Sequence, residues 1–199
     1  MDPDYWGAHF WRFMHVLIRD HYDFATTPTL LTKLGCRLLP CRKCRKHFSA
    51  RLKRHPVPRS RNSPTILQRW LIGVHNEVNA EKGKAVLTQV QALDEIARMR
   101  SVACHAPFVL HAINVNIEGT RIFEPHHPQK VKDMQRHFDQ FIAMLHASLR
   151  KSCKRMSKCS RCWAWLEKDI SPHHLPPIRK ETLAIMRKKR TPRPRSRHR

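Results

Sequence analysis

The stretch WLIGVHNEVNAEKGK, residues 70–84, combines a helical apolar pattern with a concentration of histidine and asparagine. Its apolar face is formed by residues at helical spacing, namely Leu71, Val74 and Val78. His75, Asn76 and Asn79 lie close enough in the sequence to project from adjoining parts of one helix face. Buried amides and imidazoles cost free energy unless each polar atom finds a partner. This helix therefore carries either a binding site or a polar network closed on itself.

The sequence on both sides of this stretch predicts further helices. Pro28 and Pro64 occur where helices begin, and Gly83 occurs where the central helix should end. Pro40 is assigned to the first turn of the helix that contains CRKC. The expected helices are residues 5–22, 29–38, 40–54, 64–82 and 88–99.

The second half of the chain has a different character. Residues 102–128 are rich in β-branched side chains and lack a helical period, so we expect irregular chain with one short strand. Residues 129–151 predict a long amphipathic helix that packs on the first half or forms a dimer seam. Its apolar stripe consists of Val131, Met134, Phe138, Phe141, Leu145 and Leu149. The basic, proline-containing sequence from residue 171 is expected to be disordered.

Composition and charge limit the class of protein. The 199 residues, 41% of them hydrophobic, allow one ordinary domain with an appendage. No apolar run is long enough to span a bilayer, and the N-terminus resembles neither a secretory signal nor a transit peptide. We therefore expect a protein of the cytosol or nucleus. The net charge of +24 favours a polyanionic partner such as nucleic acid, above all for the tail RKKRTPRPRSRHR.

Seven cysteines in a chain without a secretory signal favour metal binding or redox chemistry over a disulfide scaffold. Cys41/Cys44 and Cys159/Cys162 have C-x-x-C spacing, and together they could hold one zinc ion. A zinc nucleobase deaminase would also use a cysteine pair and H-x-E, but HNE at 75–77 follows the first pair instead of preceding it. The remaining three cysteines are Cys36, Cys104 and Cys153.

The pair Cys41/Cys44 also suits dithiol–disulfide exchange. It lies at a predicted helix start among Arg42, Lys43 and further basic residues, an environment that favours the reactive thiolate. In the first helix, Trp11 and His15 share a face, and a flat aromatic ring beside an imidazole can sandwich a planar ligand. Taken alone, each of these signals is also compatible with an ordinary core or a zinc site.

The combination of WGAHFWRFMH, PCRKCRKHF and LQRWLIGVHNEVNAEKGK, in this order and spacing, resembles the Erv/ALR family of FAD-linked sulfhydryl oxidases over residues 5–98. The resemblance implies a four- or five-helix bundle that binds FAD, with Cys44 next to the isoalloxazine and Cys41 open to incoming thiolates. The positions that match the family's FAD-binding residues are Trp6, Gly7, Trp11, His15, Trp70, His75, Asn76, Val78, Asn79 and Lys84. The absence of G-x-G-x-x-G agrees with a mode of dinucleotide binding unlike that of Rossmann folds.

The chain departs from the family in two places. Many members have a second disulfide after the H-N-x-V-N helix, but here Ile72 and Gly73 stand where a cysteine is expected. Compact viral members also lack that disulfide, so a viral origin is expected. Cys159/Cys162 is the candidate distal shuttle pair, with a structural disulfide or a zinc half-site as alternatives. Cys36, Cys104 and Cys153 have no family counterpart.

The resulting prediction has three parts: an oxidase domain at 1–101, an accessory region at 102–170 and a basic tail at 171–199. The function implied is oxidation of protein thiols with FAD as cofactor, no metal, and dioxygen reduced to hydrogen peroxide. Further expectations are a homodimer, a location in the host cytoplasm, nucleus or virion, and a polyanion bound by the tail. The alternative is a zinc-stabilised, basic nucleic-acid-binding protein.

Overall fold

A computed structural model describes residues 3–58 and 63–153 of the chain. Every regular element among these residues is helical, which confirms the all-α prediction. A π-helical turn, Leu34–Leu38, directly follows the second helix. The α-helices are α1 (Pro3–His21), α2 (Thr27–Lys33), α3 (Arg42–Arg54), α4 (Pro64–Glu81), α5 (Gln89–Arg98), α6 (Val102–Phe123) and α7 (Pro128–Cys153).

Helix α1 lies at the centre of the bundle because its apolar residues recur on more than one face. It packs against α2, α4, α5, α6 and α7. Its fully buried side chains include Phe10, Phe13, Met14, Leu17 and Ile18. Burying one side chain of this size stabilises the fold by roughly 1.5–3 kcal/mol. One continuous apolar cluster joins α1 to residues from α2, α3, α4, α6 and α7. A smaller apolar cluster packs α5 against α4.

The ends of α4 and α5 follow from local side-chain chemistry. The Ser63 hydroxyl accepts a hydrogen bond from the Ile66 amide, and Pro64 occupies the first turn of α4. Gly83 adopts φ 63°, a conformation that lets the chain turn away after α4. Thr88 and Gln91 form a reciprocal capping box at the start of α5. The sequence-based boundaries of both helices agree with the structure to within one residue.

The prediction for residues 102–128 was wrong, because most of this segment is the long helix α6. α6 lies between α1 and α7, so it has apolar residues on most of its circumference and no amphipathic period. Its buried residues include Val109, Leu110, Ala112, Ile113, Val115 and Ile117. Burial against two helices outweighs the low helix propensity of Val and Ile and the interior Pro107.

The apolar stripe of α7 packs on the helices that precede it in the same chain, which was the first of its two interpretations. Phe138, Phe141, Leu145 and Leu149 are fully buried, and Val131 is nearly so. The stripe is therefore covered within the chain over most of its length, with Met134 half-buried. Polar contacts add to this packing: Lys33 Nζ donates to Gln140 Oε1 at 2.8 Å, and Lys151 pairs with Asp23 at 2.7 Å.

Two further expectations concern parts of the chain beyond these helices. Cys159, Cys162 and the basic tail at 171–199 lie outside the residues that the structure describes. Within 3–58 and 63–153, none of the helices has the length and hydropathy needed to cross a bilayer.

Candidate functional site

Cys41 and Cys44 are joined by a disulfide at the N-terminus of α3, with their Cα atoms 5.1 Å apart. Cys41 is the N-cap residue, and its sulfur accepts a hydrogen bond from the Cys44 amide at 3.1 Å. The predicted helix start at Pro40 was two residues too early, because the extended backbone of Cys41 takes the cap position. Sulfurs bonded to each other are not available as zinc ligands, and the described residues contain no group of three or more His, Cys, Asp or Glu arranged to hold a metal ion.

Gly35, in the π turn before the disulfide, allows the Phe48 ring of α3 to pack closely against the backbone of that turn. A Cβ atom at Gly35 would lie 2.2 Å from Cε1 of Phe48, so no larger residue fits here without displacing that ring. Phe48 is buried and follows Cys44 by one helical turn. Arg45 donates a hydrogen bond to the Leu39 carbonyl, which ties α3 back to the chain that enters it. The disulfide therefore lies at a corner that Phe48 and Arg45 attach to the rest of the fold.

A stack of aromatic and imidazole rings lies between α1 and α4. The rings of Trp11 and His75 are 4.2 Å apart and almost parallel, with an angle of 9° between their planes. His15 Nε2 lies 3.3 Å from His75 Nδ1, and Gln68 Nε2 lies 2.6 Å from His15 Nδ1. With the Gln68 amide nitrogen as donor, His15 carries its proton on Nε2 and donates it to His75 Nδ1. This leaves the His75 Nε2–H free to donate outward.

Both imidazoles of this stack are uncharged at neutral pH. Desolvation by burial, with the nearby His75, lowers the pKa of His15 to about 3. Desolvation, with the positive charge of Lys84, lowers the pKa of His75 to about 4. Because neither ring takes up a second proton, the stack offers a neutral, polarisable surface with one N–H donor on each ring.

Gln68 is the residue of this stack that sequence reasoning missed. It is buried, and it precedes His75 by seven residues, so both project from the same face of α4 two turns apart. The seven-residue spacing between Gln68 and His75 was the only sequence feature that could have indicated its role. The sequence could not show that Gln68 lies beside His15, because that contact joins α4 to α1.

The stack and the disulfide belong to one continuous part of the core. The Phe48 ring lies one turn below Cys44, and its centroid is 6.3 Å from the centroid of Trp11. Cys41, Cys44 and Trp11 are all partly buried against the same apolar cluster. The three helices α1, α3 and α4 thus bring a disulfide and a pair of stacked rings together from positions far apart in the sequence.

The other predicted site residues on α4 and after it make backbone hydrogen bonds or lie near the ring stack. Asn76 makes two hydrogen bonds to the backbone of Leu87, at 2.7 and 3.2 Å, so its amide holds the segment after α4. The Asn79 carbonyl accepts from the amides of Lys82 and Lys84, and the Lys84 side chain is exposed. Val78 is half-buried on α4.

Three predicted residues lie at the edges of the site. Trp70 Nε1 donates to the His55 carbonyl at 3.1 Å, which joins α4 to the end of α3. Trp6 is buried edge-on against Phe10 at the start of α1. Gly7 follows it and has open space where a Cβ would stand.

Comparisons with known proteins identify the family of the chain. Residues 8–97 match the model of the Erv1 / Alr family. A probable FAD-linked sulfhydryl oxidase of Acanthamoeba polyphaga mimivirus is 31% identical over 107 residues, which cover 49% of this chain and 73% of that protein. The chain belongs to the Erv1/Alr family.

Two other relatives support the same assignment. The FAD-linked sulfhydryl oxidase ERV1 of Arabidopsis thaliana is 34% identical over 86 residues, covering 40% of this chain and 44% of the plant protein. A probable FAD-linked sulfhydryl oxidase of fowlpox virus is 28% identical over 79 residues, covering 39% of this chain and 82% of the viral protein. No solved structure gives a significant match.

The family match covers α1 to α5, including the corner where this Erv1/Alr chain lacks the expected cysteine. Ile72 fills that corner: it is buried with Ala92 and Ile96 of α5 in the smaller apolar cluster. Arg19 of α1 also donates to the carbonyls of Ile96 and Met99 at the end of α5. In this chain α5 is therefore fastened by apolar burial and backbone hydrogen bonds.

Proposed function

We propose that this protein is an FAD-dependent thiol oxidase that forms disulfide bonds in protein substrates. The observation that carries the proposal is the disulfide between Cys41 and Cys44 at the start of α3, which packs against the same apolar cluster as Trp11, the ring that stacks on His75. A disulfide at this position is an electron acceptor, and a flat neutral ring system is a surface for a planar cofactor. The names of the three relatives support the same reaction and the same cofactor.

The residues present fit FAD. Within the described residues, Gln68 Oε1 and Trp6 Nε1 are buried without a hydrogen-bond partner, and a ligand's polar atoms would satisfy them. Trp11, His15 and His75 would hold a planar ring, and the exposed cation Lys84 would face phosphate oxygens. Val78 and Asn79 lie on α4, between His75 and Lys84 in the sequence. When bound, FAD accepts the two electrons of the reduced cysteine pair and supplies the path to dioxygen, which yields hydrogen peroxide.

The two cysteines would act in sequence. A substrate thiolate attacks Cys41 Sγ; the bond between Cys41 and Cys44 breaks, and Cys44 leaves as a thiolate. A second substrate thiolate then attacks the substrate sulfur of the mixed disulfide, which completes the substrate disulfide and releases Cys41 as a thiolate. The substrate loses two electrons, and the cysteine pair gains them.

The surroundings of the pair favour these thiolates. The Cys44 amide already donates to Cys41 Sγ, and the positive end of the α3 dipole faces the same sulfur. Arg42 and Arg45 lie within two residues of Cys44 in the sequence and add positive charge. We assign the role of substrate-facing sulfur to Cys41 and the role of cofactor-facing sulfur to Cys44.

Several finer statements remain predictions. They are the shuttle role of Cys159/Cys162, the homodimer, the location in cytoplasm, nucleus or virion, and a polyanion bound by the tail. The rival function, a zinc-stabilised nucleic-acid-binding protein, leaves the stack of Trp11, His15 and His75 without a role, and the bond between the two sulfurs opposes its metal site.

The test uses purified full-length protein. We expect flavin absorbance without added cofactor, and oxygen uptake when a small dithiol such as dithiothreitol is supplied. Cys41→Ser and Cys44→Ser should each retain the flavin and lose turnover, since each removes one of the two sulfurs that exchange. A colourless protein with stoichiometric zinc, or dithiol oxidation that survives either substitution, would contradict the proposal.

A further inference from the structure

A basic groove runs along the outer face of α3 and begins at the helical turn that carries the disulfide between Cys41 and Cys44. Its volume is about 860 Å³, within the range of binding clefts. The groove extends from the π turn to the loop between α6 and α7, so it is built by both halves of the chain. Its positively charged lining residues are Arg37, Arg42, Arg45, Lys46, Lys53 and Lys130.

The positive charge in this groove is largely uncompensated. Among the described lining residues the only acid is Glu124, and it is already paired with Lys130. Arg37, Arg42, Lys46 and Lys53 form no ion pair with any residue in 3–58 or 63–153. Arg45 shows the effect of these like charges: burial and the neighbouring charge of Arg42 lower the pKa of its guanidinium. Like charges held this close favour an anionic occupant.

The position of the groove links it to thiol exchange. Arg42 and Arg45 line it and are also the neighbours of Cys41 and Cys44 in the sequence. Lys46, Ser49 and Lys53 continue it along α3 at three- and four-residue spacing, away from the disulfide. An extended chain lying in the groove would therefore have one end beside the reactive sulfurs.

The lining favours a polypeptide over nucleic acid. The described lining residues include no Phe, Tyr or Trp, and single-stranded nucleic acid is usually held by stacking on such rings. The chain's own residues from 154 onward are an unsuitable occupant, since they contain fifteen Lys/Arg and three acids. Carboxylates at intervals along a peptide match cations spaced along one helix face.

We propose that this groove, in the thiol oxidase proposed above, docks acidic protein segments that carry the cysteines to be oxidised. The substrate class is thus a dithiol flanked by Asp or Glu. The groove orients the segment towards Cys41 and stabilises its incoming thiolate. Substrates without an acidic flank still react, but they dock more weakly.

The experiment compares three substrates on the flavin-loaded, full-length enzyme at low salt. They are dithiothreitol and two reduced dithiol peptides that differ only in flanking glutamates or lysines. For the unmodified enzyme we expect kcat/KM to be about tenfold higher for the glutamate peptide, because complementary charges raise the rate of encounter, and the preference should fall with added salt. A glutamate peptide without cysteine should inhibit competitively.

The variant Lys46→Glu/Lys53→Glu should lower kcat/KM for the glutamate peptide by roughly tenfold and leave dithiothreitol oxidation unchanged. Arg69→Glu/Arg98→Glu is the matched control: both residues are exposed helix positions outside the groove, and the change in net charge is the same. It should alter either substrate by less than about twofold.

The outcomes separate this proposal from the proposed function. Failure of the unmodified enzyme to oxidise dithiothreitol would contradict the oxidase itself. If kcat/KM is the same for both peptides, or if both double variants lose the same kcat/KM for the glutamate peptide, the docking proposal is wrong and the oxidase proposal is unaffected. If the groove variant loses affinity for a DNA oligonucleotide while peptide kinetics stay unchanged, the surface binds nucleic acid and the proposal is wrong. If the variant does not fold, the peptide preference of the unmodified enzyme and its salt dependence decide.

Discussion

Two corners of the bundle are built in different ways. At the start of α3, Cys41 and Cys44 form a disulfide within the first turn of one helix. Between α4 and α5, where the family resemblance leads one to expect a cysteine, Ile72 packs on Ala92 and Ile96. The chain has sulfur where electrons are proposed to flow, and apolar burial where only stability is needed. The comparison predicts that substitutions at the two corners have separable consequences.

The largest effect on stability should follow removal of the apolar contact between α4 and α5. Ile72→Ala deletes a buried side chain and leaves a cavity, so we expect the free energy of unfolding to fall by about 3 kcal/mol. Urea unfolding of the flavin-loaded protein measures this. Dithiol turnover per folded molecule should stay unchanged, in contrast to Cys44→Ser. A large loss of turnover in folded Ile72→Ala would show that the two corners are not independent.

The second prediction concerns acid. The unfolded chain binds a proton at His15 near pH 6.5, but the folded chain keeps this ring neutral down to a pKa of about 3. The unfolded state therefore binds more protons between these values, and stability falls as pH falls through this window. From pH 6.5 to 4.5 the loss from His15 should be roughly 2–3 kcal/mol. His75, with a pKa of about 4, acts in the same direction.

The pH effect is measured from urea midpoints across this range. His15→Gln should make the pH dependence shallower, because it removes the buried imidazole. An equally steep dependence in His15→Gln would mean that other groups are responsible. This prediction extends the comparison of the two corners. The contribution of the His15–His75 stack to stability depends on pH, whereas the apolar contact between α4 and α5 contains no titratable group.

A third prediction addresses how the disulfide corner is held. Gly35→Ala would push a Cβ atom into the buried ring of Phe48, so we expect a destabilisation of about 2 kcal/mol. Phe48 lies one turn from Cys44, so turnover should fall as well. Thermal unfolding and oxygen uptake measure the two effects. An unaltered melting temperature would contradict this prediction, because it would show that the Phe48 ring can shift away from the added Cβ atom without loss of stability.

The smallest effect is expected at Gly73, which serves as the control for Gly35. Gly73 lies inside α4, where a Cβ atom would meet nothing within 4 Å, and the helix is exposed at this point. Gly73→Ala should therefore stabilise the protein by about 0.5–1 kcal/mol, since alanine loses less conformational entropy in a helix. Destabilisation in the same thermal assay would indicate an unrecognised contact at this face.

The sequence was most informative where local rules apply. Pro64 and Gly83 mark the two ends of α4 by ring constraint and backbone freedom, and the structure has α4 and α5 at the expected positions. The amphipathic stripe of α7 was equally readable. The spacing of W-x-x-x-H, C-x-x-C and H-N-x-V-N was enough to indicate the family.

The sequence was least informative where an element is surrounded by other elements. α6 has no polar face because α1 and α7 bury it from two sides, so the periodicity that identifies helices is missing. Gln68 became recognisable only through its 2.6 Å contact with His15, which is 53 residues away. The same holds for the groove on α3, whose opposite wall comes from the loop after α6.

The sequence by itself determined the helical class, the reactive cysteine spacing, the positive charge and the positions of most helix ends. These depend on residues only a few positions apart. Tertiary structure alone decided that His15 and His75 stay neutral, that Gly35 must remain small, and that a basic groove adjoins the disulfide. Each of these depends on which distant side chains exclude water or approach closely, and pairwise spacing along the chain carries no record of such contacts.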